Sequence, residues 1–142
     1  MSVASIQSDI AYTRSQIDAC TEDIAHWEGR LSDLYDFKDF QSQESNRFLE
    51  DVSGRSARLN NADINPAQVK LFQQYKPKFQ DLLLGRGYQR IVEQKEEEKR
   101  AVERAIEEVR EKIKQLRSRL ASLQSSLAGL EADLEREMAK DE

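Results

Sequence analysis

Apolar side chains recur at alternating intervals of four and three residues through the last third of the chain. The positions with this spacing are Val102, Ile106, Val109, Ile113, Leu116, Leu120, Leu123, Leu127, Leu130 and Leu134. Such spacing places every one of these side chains on a single stripe of an α-helix, and a stripe of this kind packs against a similar stripe on a second helix. The sequence therefore predicts a coiled-coil helix here.

A matching stripe runs along the N-terminal part of the chain. It consists of Val3, Ile6, Ile10, Thr13, Ile17, Cys20, Ile24, Trp27, Leu31 and Leu34. We call the two stripes together the seam. Stripes of equal length at opposite ends of one chain predict an antiparallel helical hairpin, because a partner within the same chain is present at any concentration. A homodimeric coiled coil is the alternative that this pattern leaves open.

The pairing of apolar residues predicts a register for the two arms. The register places Leu34 opposite Ile106, Trp27 opposite Ile113, Cys20 opposite Leu120, Thr13 opposite Leu127 and Ile6 opposite Leu134. Of these layers, only the one with Thr13 contains a polar side chain. The same register places Glu28 near Arg110 and Asp23 near Arg119, and each exposed pair would contribute only about a few tenths of a kcal/mol.

Most aromatic residues lie between the two stripes. All five Phe and three of the four Tyr fall between residues 35 and 88. Aromatic side chains fill a compact core better than a thin two-helix seam. We therefore expect a single all-α domain over residues 1–142, with a coiled-coil shaft at 1–34 and 102–138 and a small helical head at 35–101.

Turn-forming residues predict where the helices of the head begin and end. The first helix is expected to end near Gly54, and residues 56–64 are expected to form a loop with Asn60 and Asn61 as turn formers. Asn65 as N-cap and Pro66 at the first helical position predict the start of the next helix.

Other residues of the head predict interruptions of its helices and of the apolar seam. Pro77 is expected to break or kink its helix, because proline removes a backbone donor and clashes with the preceding turn. Gly85 and Gly87 are expected to let the chain reverse into the C-terminal helix. Lys95 and Lys99 stand where the seam would next place apolar residues, so a third helix or solvent is expected to replace the partner arm there.

Charge and cysteine content exclude several classes of function. The chain has 27 acidic and 22 basic residues and a net charge of −5, which disfavours nucleic acid and anionic membrane surfaces as partners. The basic residues of 110–119 lie beside Glu107, Glu108 and Glu111 and predict a solvated helix face. Cys20 is the only cysteine, so no intrachain disulfide forms. The N-terminus lacks the pattern of a secretory signal peptide, and no apolar run is long enough to span a membrane.

The sequence offers little catalytic chemistry. His26 is the only histidine and follows the helical pattern of the N-terminal arm. No grouping of His, Cys and carboxylates has the spacing of metal ligands, and the Gly-Arg-Gly at 85–87 lacks the remainder of a phosphate-binding loop. Cys20 lies on the seam and is expected to be a buried small apolar group. We expect a non-catalytic protein without a cofactor or metal.

The chain as a whole resembles a family of helical bacterial proteins. The resemblance lies in the length, the long N-terminal helix, the interrupted middle, and a long charged helix that follows a glycine turn and an aromatic residue, here "LLLGRGYQRI" at 82–91. In these features it is similar to the YwqH-like proteins associated with LXG toxins of type VIIb secretion. Leu83-Leu84-Gly85 stands where that family often has Trp-x-Gly.

The resemblance implies a targeting partner. Such proteins pair with the helical N-terminal domain of a cognate toxin, often with a second small helical protein, and the assembly is recognised for export. It implies a bacterial cytoplasmic location, or export without a cleaved signal peptide. We expect Leu83, Leu84, Gly85 and Tyr88 to form an apolar contact for a partner helix. A general helical-hairpin chaperone of prefoldin or export-chaperone type and a structural coiled-coil scaffold are the alternatives.

Overall fold

The protein is helical throughout the part that the structure describes. The computed structural model describes residues 2–60 and 69–140, and the side chains of 2–59 and 74–140. Helices α1 (Val3–Asn60), α2 (Val69–Leu84) and α3 (Arg86–Lys140) account for 98% of these residues, and none of them lies in a β-strand. The prediction of an all-α protein is confirmed.

Helix α1 is longer than the sequence predicted. It begins after Ser2, whose hydroxyl oxygen accepts a hydrogen bond from the backbone N–H of Ser5 at 3.1 Å and so acts as the N-cap. The helix then passes Gly54 and ends at Asn60. The predicted end near Gly54 is wrong. Glycine within a helix costs about 1 kcal/mol, and the burial of Val52 together with the ion pair between Arg55 and Asp51 outweighs it.

Helices α2 and α3 follow one another without a chain reversal. Only Gly85 separates them, and together they form one long, slightly bent helix. The backbone N–H of Gly85 donates to the carbonyl of Asp81 at 2.6 Å, and the N–H of Gln89 donates to the carbonyl of Gly85 at 3.0 Å. Hydrogen bonding thus continues across the junction, and no described glycine has a positive φ. The predicted reversal at Gly85–Gly87 is wrong.

Helix α2 also continues through Pro77, so the predicted break at this residue is wrong. Pro77 is exposed, and the carbonyl that it leaves without a backbone donor can be hydrated. The predicted N-cap Asn65, the predicted first helical residue Pro66, and residues 61–64 of the predicted loop lie outside the described residues. Residues 56–60 of that loop belong to α1.

The chain divides into two compact units, and the first comprises Met1–Asp33 and Ala105–Glu142. Here α1 and α3 run antiparallel around a cluster of Cys20, Ile24 and Leu116, against which Trp27, Leu120 and Leu123 pack. The Cys20 thiol donates to the carbonyl of Leu116 at 3.3 Å. Cys20 is 3% exposed, so the prediction that it is buried is confirmed.

Polar side chains of the first unit form hydrogen bonds both within the narrow core and across its edge. Thr13 is buried, and its hydroxyl donates to the carbonyl of Asp9 at 2.8 Å, which satisfies the hydroxyl within its own helix. Glu28 accepts a hydrogen bond from Arg117 at 2.7 Å, whereas the sequence predicted Arg110 as its neighbour. Arg117 follows Arg110 by one heptad on the same helix face, and its long side chain reaches Glu28 across the seam.

The second unit, Leu34–Arg104, contains the rest of α1, all of α2 and the start of α3. The rings of Phe48 and Tyr88 stack with centroids 5.9 Å apart, and the ammonium of Lys95 lies 5.3 Å from the centre of the Phe48 ring. Helix α1 therefore faces Lys95, whereas Lys99 is exposed, as expected where solvent replaces the partner arm. Polar side chains of α1, including Gln41 and Ser45, line a cavity of about 270 Å³ with the two lysines.

Five of the aromatic residues whose side chains the structure describes in the second unit lie outside any compact core of the kind that the sequence predicted. Tyr35, Phe37, Phe40, Tyr75 and Phe79 are 37–57% exposed. Two packed helices enclose only the side chains on the line where they meet. These five side chains lie beside that line and remain at the surface.

Candidate partner-binding surface

Exposed apolar side chains are concentrated in the second unit. Of the eleven large apolar side chains that are exposed in the described part of the chain, only Tyr12 and Met138 belong to the first unit. The other nine are Tyr35, Phe37, Phe40, Leu49, Tyr75, Phe79, Leu82, Leu84 and Ile91. Apolar surface gathered in one region, unlike single scattered residues, is typical of a binding site.

The three consecutive leucines at the end of α2 point in different directions. Leu82 is 74% exposed and Leu84 is 48% exposed, whereas Leu83 is half-buried. Successive residues of a helix are about 100° apart around its axis, so three neighbours cannot all face α1. Leu83 faces inward, and the two leucines on either side of it are left at the surface.

An open apolar pocket lies beside these leucines. Its volume is about 320 Å³, and its lining includes the ring of Phe48, Val52 and Leu83 together with Tyr88. The exposed side chains of Leu82 and Ile91 line it as well. Its α1 side also carries Asp51 and Arg55, whose charged groups lie 3.4 Å apart. The pocket is large enough for one apolar side chain of another molecule.

The predicted contact residues take different places around this pocket. Leu83 and Tyr88 line it, and both are half-buried. Leu84 is exposed, and Gly85 is the half-buried residue of the bend. The predicted contact did not include Leu82 or Ile91, both of which line the pocket.

The seam residues are covered within the helix pair. All sixteen that were singled out as contacts between the arms are buried or half-buried. They are Ile6, Ile10, Ile17, Ile24, Trp27, Leu31, Leu34, Ile106, Val109, Ile113, Leu116, Leu120, Leu123, Leu127, Leu130 and Leu134. A helical partner that binds the intact protein therefore cannot use them without separating the helices.

Other features of the described residues add no competing site. His26 is exposed, with its ring edge-on to Trp27 at 5.5 Å. No group of three or more His, Cys, Asp and Glu within residues 2–60 and 69–140 could hold a metal ion. A groove of about 500 Å³ in the first unit is lined by Arg110, Lys114 and Arg117, and Arg117 is already paired with Glu28. None of the described helices is long and apolar enough to cross a membrane.

Comparison with protein-family models, with curated proteins and with solved structures gives no match. The exposed apolar surface of the second unit is thus the strongest functional indication that the described residues give. Its centre is the pocket between Val52 and Leu83, and its edges are Leu82, Leu84 and Ile91.

Proposed function

We propose that the chain is a non-catalytic targeting partner that binds the helical N-terminal domain of an LXG-type toxin for type VII secretion. The observation that carries this proposal is the open apolar pocket at the bend between α2 and α3, with exposed leucines beside it. A surface of this shape suits a helix that places one apolar side chain in the pocket and lays its flanks on the surrounding residues.

The energetics favour a partner helix over a small ligand. Complete burial of a Leu or Ile side chain contributes about 1.5–3 kcal/mol. Leu82, Leu84 and Ile91 are all exposed in the free chain and gain this contribution only when a large surface covers them. The charged groups of Asp51 and Arg55 beside the pocket can select the orientation of the partner helix more than they add to affinity.

The proposal includes the architecture and the location that accompany this role. The helices would form one antiparallel hairpin, with a coiled-coil shaft at 1–34 and 102–138 and a small head at 35–101. The protein would act in the bacterial cytoplasm, alone or with a second small helical protein. Any export from the cell would proceed without a cleaved signal peptide. The antiparallel contacts within each unit support the hairpin.

The variants Leu84→Asp and Ile91→Asp are expected to lose the partner while remaining folded. Each places a charge on apolar surface that the partner would bury, and such a charge costs several kcal/mol when it is desolvated without a counter-ion. The measurement is capture of the tagged chain from the cells that produce it, with mass spectrometry of the proteins retained after a salt wash. The wild-type chain should retain one stoichiometric protein with a helical N-terminal domain and a toxin domain.

Tyr12→Asp is the matched control, because Tyr12 is 66% exposed, belongs to the first unit and does not line the pocket. It should retain the partner at the wild-type level, and circular dichroism should show the same helicity for all variants. Retention of the toxin by Leu84→Asp and Ile91→Asp would refute the proposed surface. A broad set of unrelated clients would indicate a general chaperone, and recovery of the chain alone would indicate a structural scaffold.

A further inference from the structure

The second unit exposes two aromatic pairs that the pocket does not use. Phe37 and Phe40 stack on α1 with ring centroids 6.4 Å apart and an interplanar angle of 25°. Tyr75 and Phe79 lie together on α2 with centroids 6.5 Å apart. Each of the four rings is 44–57% exposed. The packing of the seam does not account for two exposed aromatic pairs within one unit.

The pair on α1 has an acidic surrounding. Asp36 precedes Phe40 by four residues and Glu44 follows it by four, so both carboxylates lie on the same side of the helix as the ring. Glu44 also pairs with Arg47 at 3.1 Å, and its side chain is still 43% exposed. We call Asp36, Phe37, Phe40 and Glu44 the acidic patch.

The pair on α2 has a basic surrounding. The ammonium of Lys78 lies 5.7 Å from the centre of the Tyr75 ring, and the stripe continues through the exposed Leu82 to the exposed Arg86. Asp81 is the only acidic residue between Tyr75 and Arg86, against three basic residues, so the stripe keeps a net positive charge. We call Tyr75, Lys78, Phe79 and Arg86 the basic patch.

We propose that a second copy of this chain covers both patches, with the acidic patch of each copy against the basic patch of the other. The two patches match in aromatic content and are opposite in charge, which is what one surface needs in order to bind the other. Because every copy carries both patches, a two-fold arrangement forms the same contact twice and closes as a dimer. This inference does not depend on the toxin-binding proposal.

The aromatic side chains and the charges contribute differently to this contact. Burial of the exposed rings supplies most of the affinity, and aromatic pairs add about 0.5–1.5 kcal/mol beyond the area that they bury. The charges select the pairing of unlike patches, because two acidic patches or two basic patches would repel. The dimer should therefore weaken as salt is added, since the charged groups are at the surface and are screened.

Charge reversal tests the pairing directly. One variant reverses the acidic patch with Asp36→Lys and Glu44→Lys, and the other reverses the basic patch with Lys78→Glu and Arg86→Glu. Each variant alone should dimerise roughly tenfold or more weakly than the wild type, because like charges then meet in both contacts of the dimer. Dissociation constants are measured by sedimentation equilibrium, with circular dichroism as the check on folding.

Mixing the two variants is the decisive experiment. An equimolar mixture should form a mixed dimer of near wild-type affinity, because every contact then again joins opposite charges. The variant that carries all four reversals should dimerise with itself but not with the wild-type chain. A merely structural effect of the substitutions would not produce this pattern of loss and rescue.

Several outcomes would overturn the inference. These are a wild-type chain that stays monomeric at high concentration, a dimer that neither reversal weakens, a mixture that fails to pair, and open-ended polymers in place of dimers. A wild-type monomer whose patches bind only a different protein would also overturn it. None of the four reversed residues lines the pocket, so toxin capture by the two variants reports on the proposed function separately from self-association.

Discussion

Ile113→Ala is expected to lower the free energy of unfolding by about 2–4 kcal/mol, the range for truncation of a buried Ile in a core that cannot fully collapse. Ile113 is 5% exposed on the seam of the first unit. The core there is only as wide as the contact between two helices, so no second layer of side chains can move in to fill the space. The measurement is urea denaturation followed by far-ultraviolet circular dichroism.

Ile91→Ala is the matched control, because it removes the same atoms from a side chain that is 41% exposed. Its expected cost is below about 1 kcal/mol, since a large part of the truncated group is already in water. Equal losses for the two variants would contradict the assignment of Ile113 to a buried seam. An unchanged stability of Ile113→Ala would mean that the first unit is not held together by this stripe.

The seam was the most predictable feature because, in a core formed by two helices, a position is either buried where the helices meet or exposed to solvent. A side chain on that line is covered and one off it is not, so the apolar spacing and the burial have a common cause. Thr13 and Cys20 fit this pattern as well, since their hydrogen bonds to the carbonyls of Asp9 and Leu116 make burial acceptable. Side-chain ion pairs were less predictable. An exposed pair contributes about 0–1 kcal/mol, too little to fix whether Glu28 binds Arg110 or Arg117.

The helix ends were mispredicted where tertiary contacts outweigh local preference. Gly54 and Pro77 disfavour a helix by about 1 and 3 kcal/mol, and sequence reasoning treats such costs as boundaries. Pro77 is exposed, so the carbonyl that it leaves without a backbone donor can be hydrated. The turns of α1 before Gly54 carry packed side chains, with Val52 8% exposed and Phe48 stacked on Tyr88. The same contacts decide that the aromatic residues flank the helix interface instead of forming a separate core.

The candidate surface includes residues that the sequence singled out, but not in the detail that the structure gives. The sequence predicted an apolar contact at Leu83, Leu84, Gly85 and Tyr88, and two of these residues line an apolar pocket. It could not show which of these side chains line the pocket, because the direction of each depends on how the helix continues through Gly85. With the bend formed, Leu83 and Tyr88 line the pocket, and Leu82 becomes the most exposed of the three leucines.

Gly85→Ala is expected to cost about 1–3 kcal/mol, as for other substitutions that insert atoms where there is no space. A Cβ at this position would overlap the backbone carbonyl and the carboxylate of Asp81. The glycine is thus required for close approach at the bend and not for a positive φ, which no described glycine has. The loss should appear as a lower urea midpoint with unchanged helicity.

Gly54→Ala serves as the comparison, because it is expected to change the stability in the opposite direction. Gly54 lies inside α1, and a Cβ added there would meet nothing within 4 Å. Alanine should therefore stabilise the protein by about 0.5–1 kcal/mol, through helix propensity and a less flexible unfolded chain. If Gly85→Ala stabilised the protein as Gly54→Ala does, the long helix would have to be straight at residue 85. The pocket beside Leu83 and Tyr88 would then lose the bend on which its shape depends.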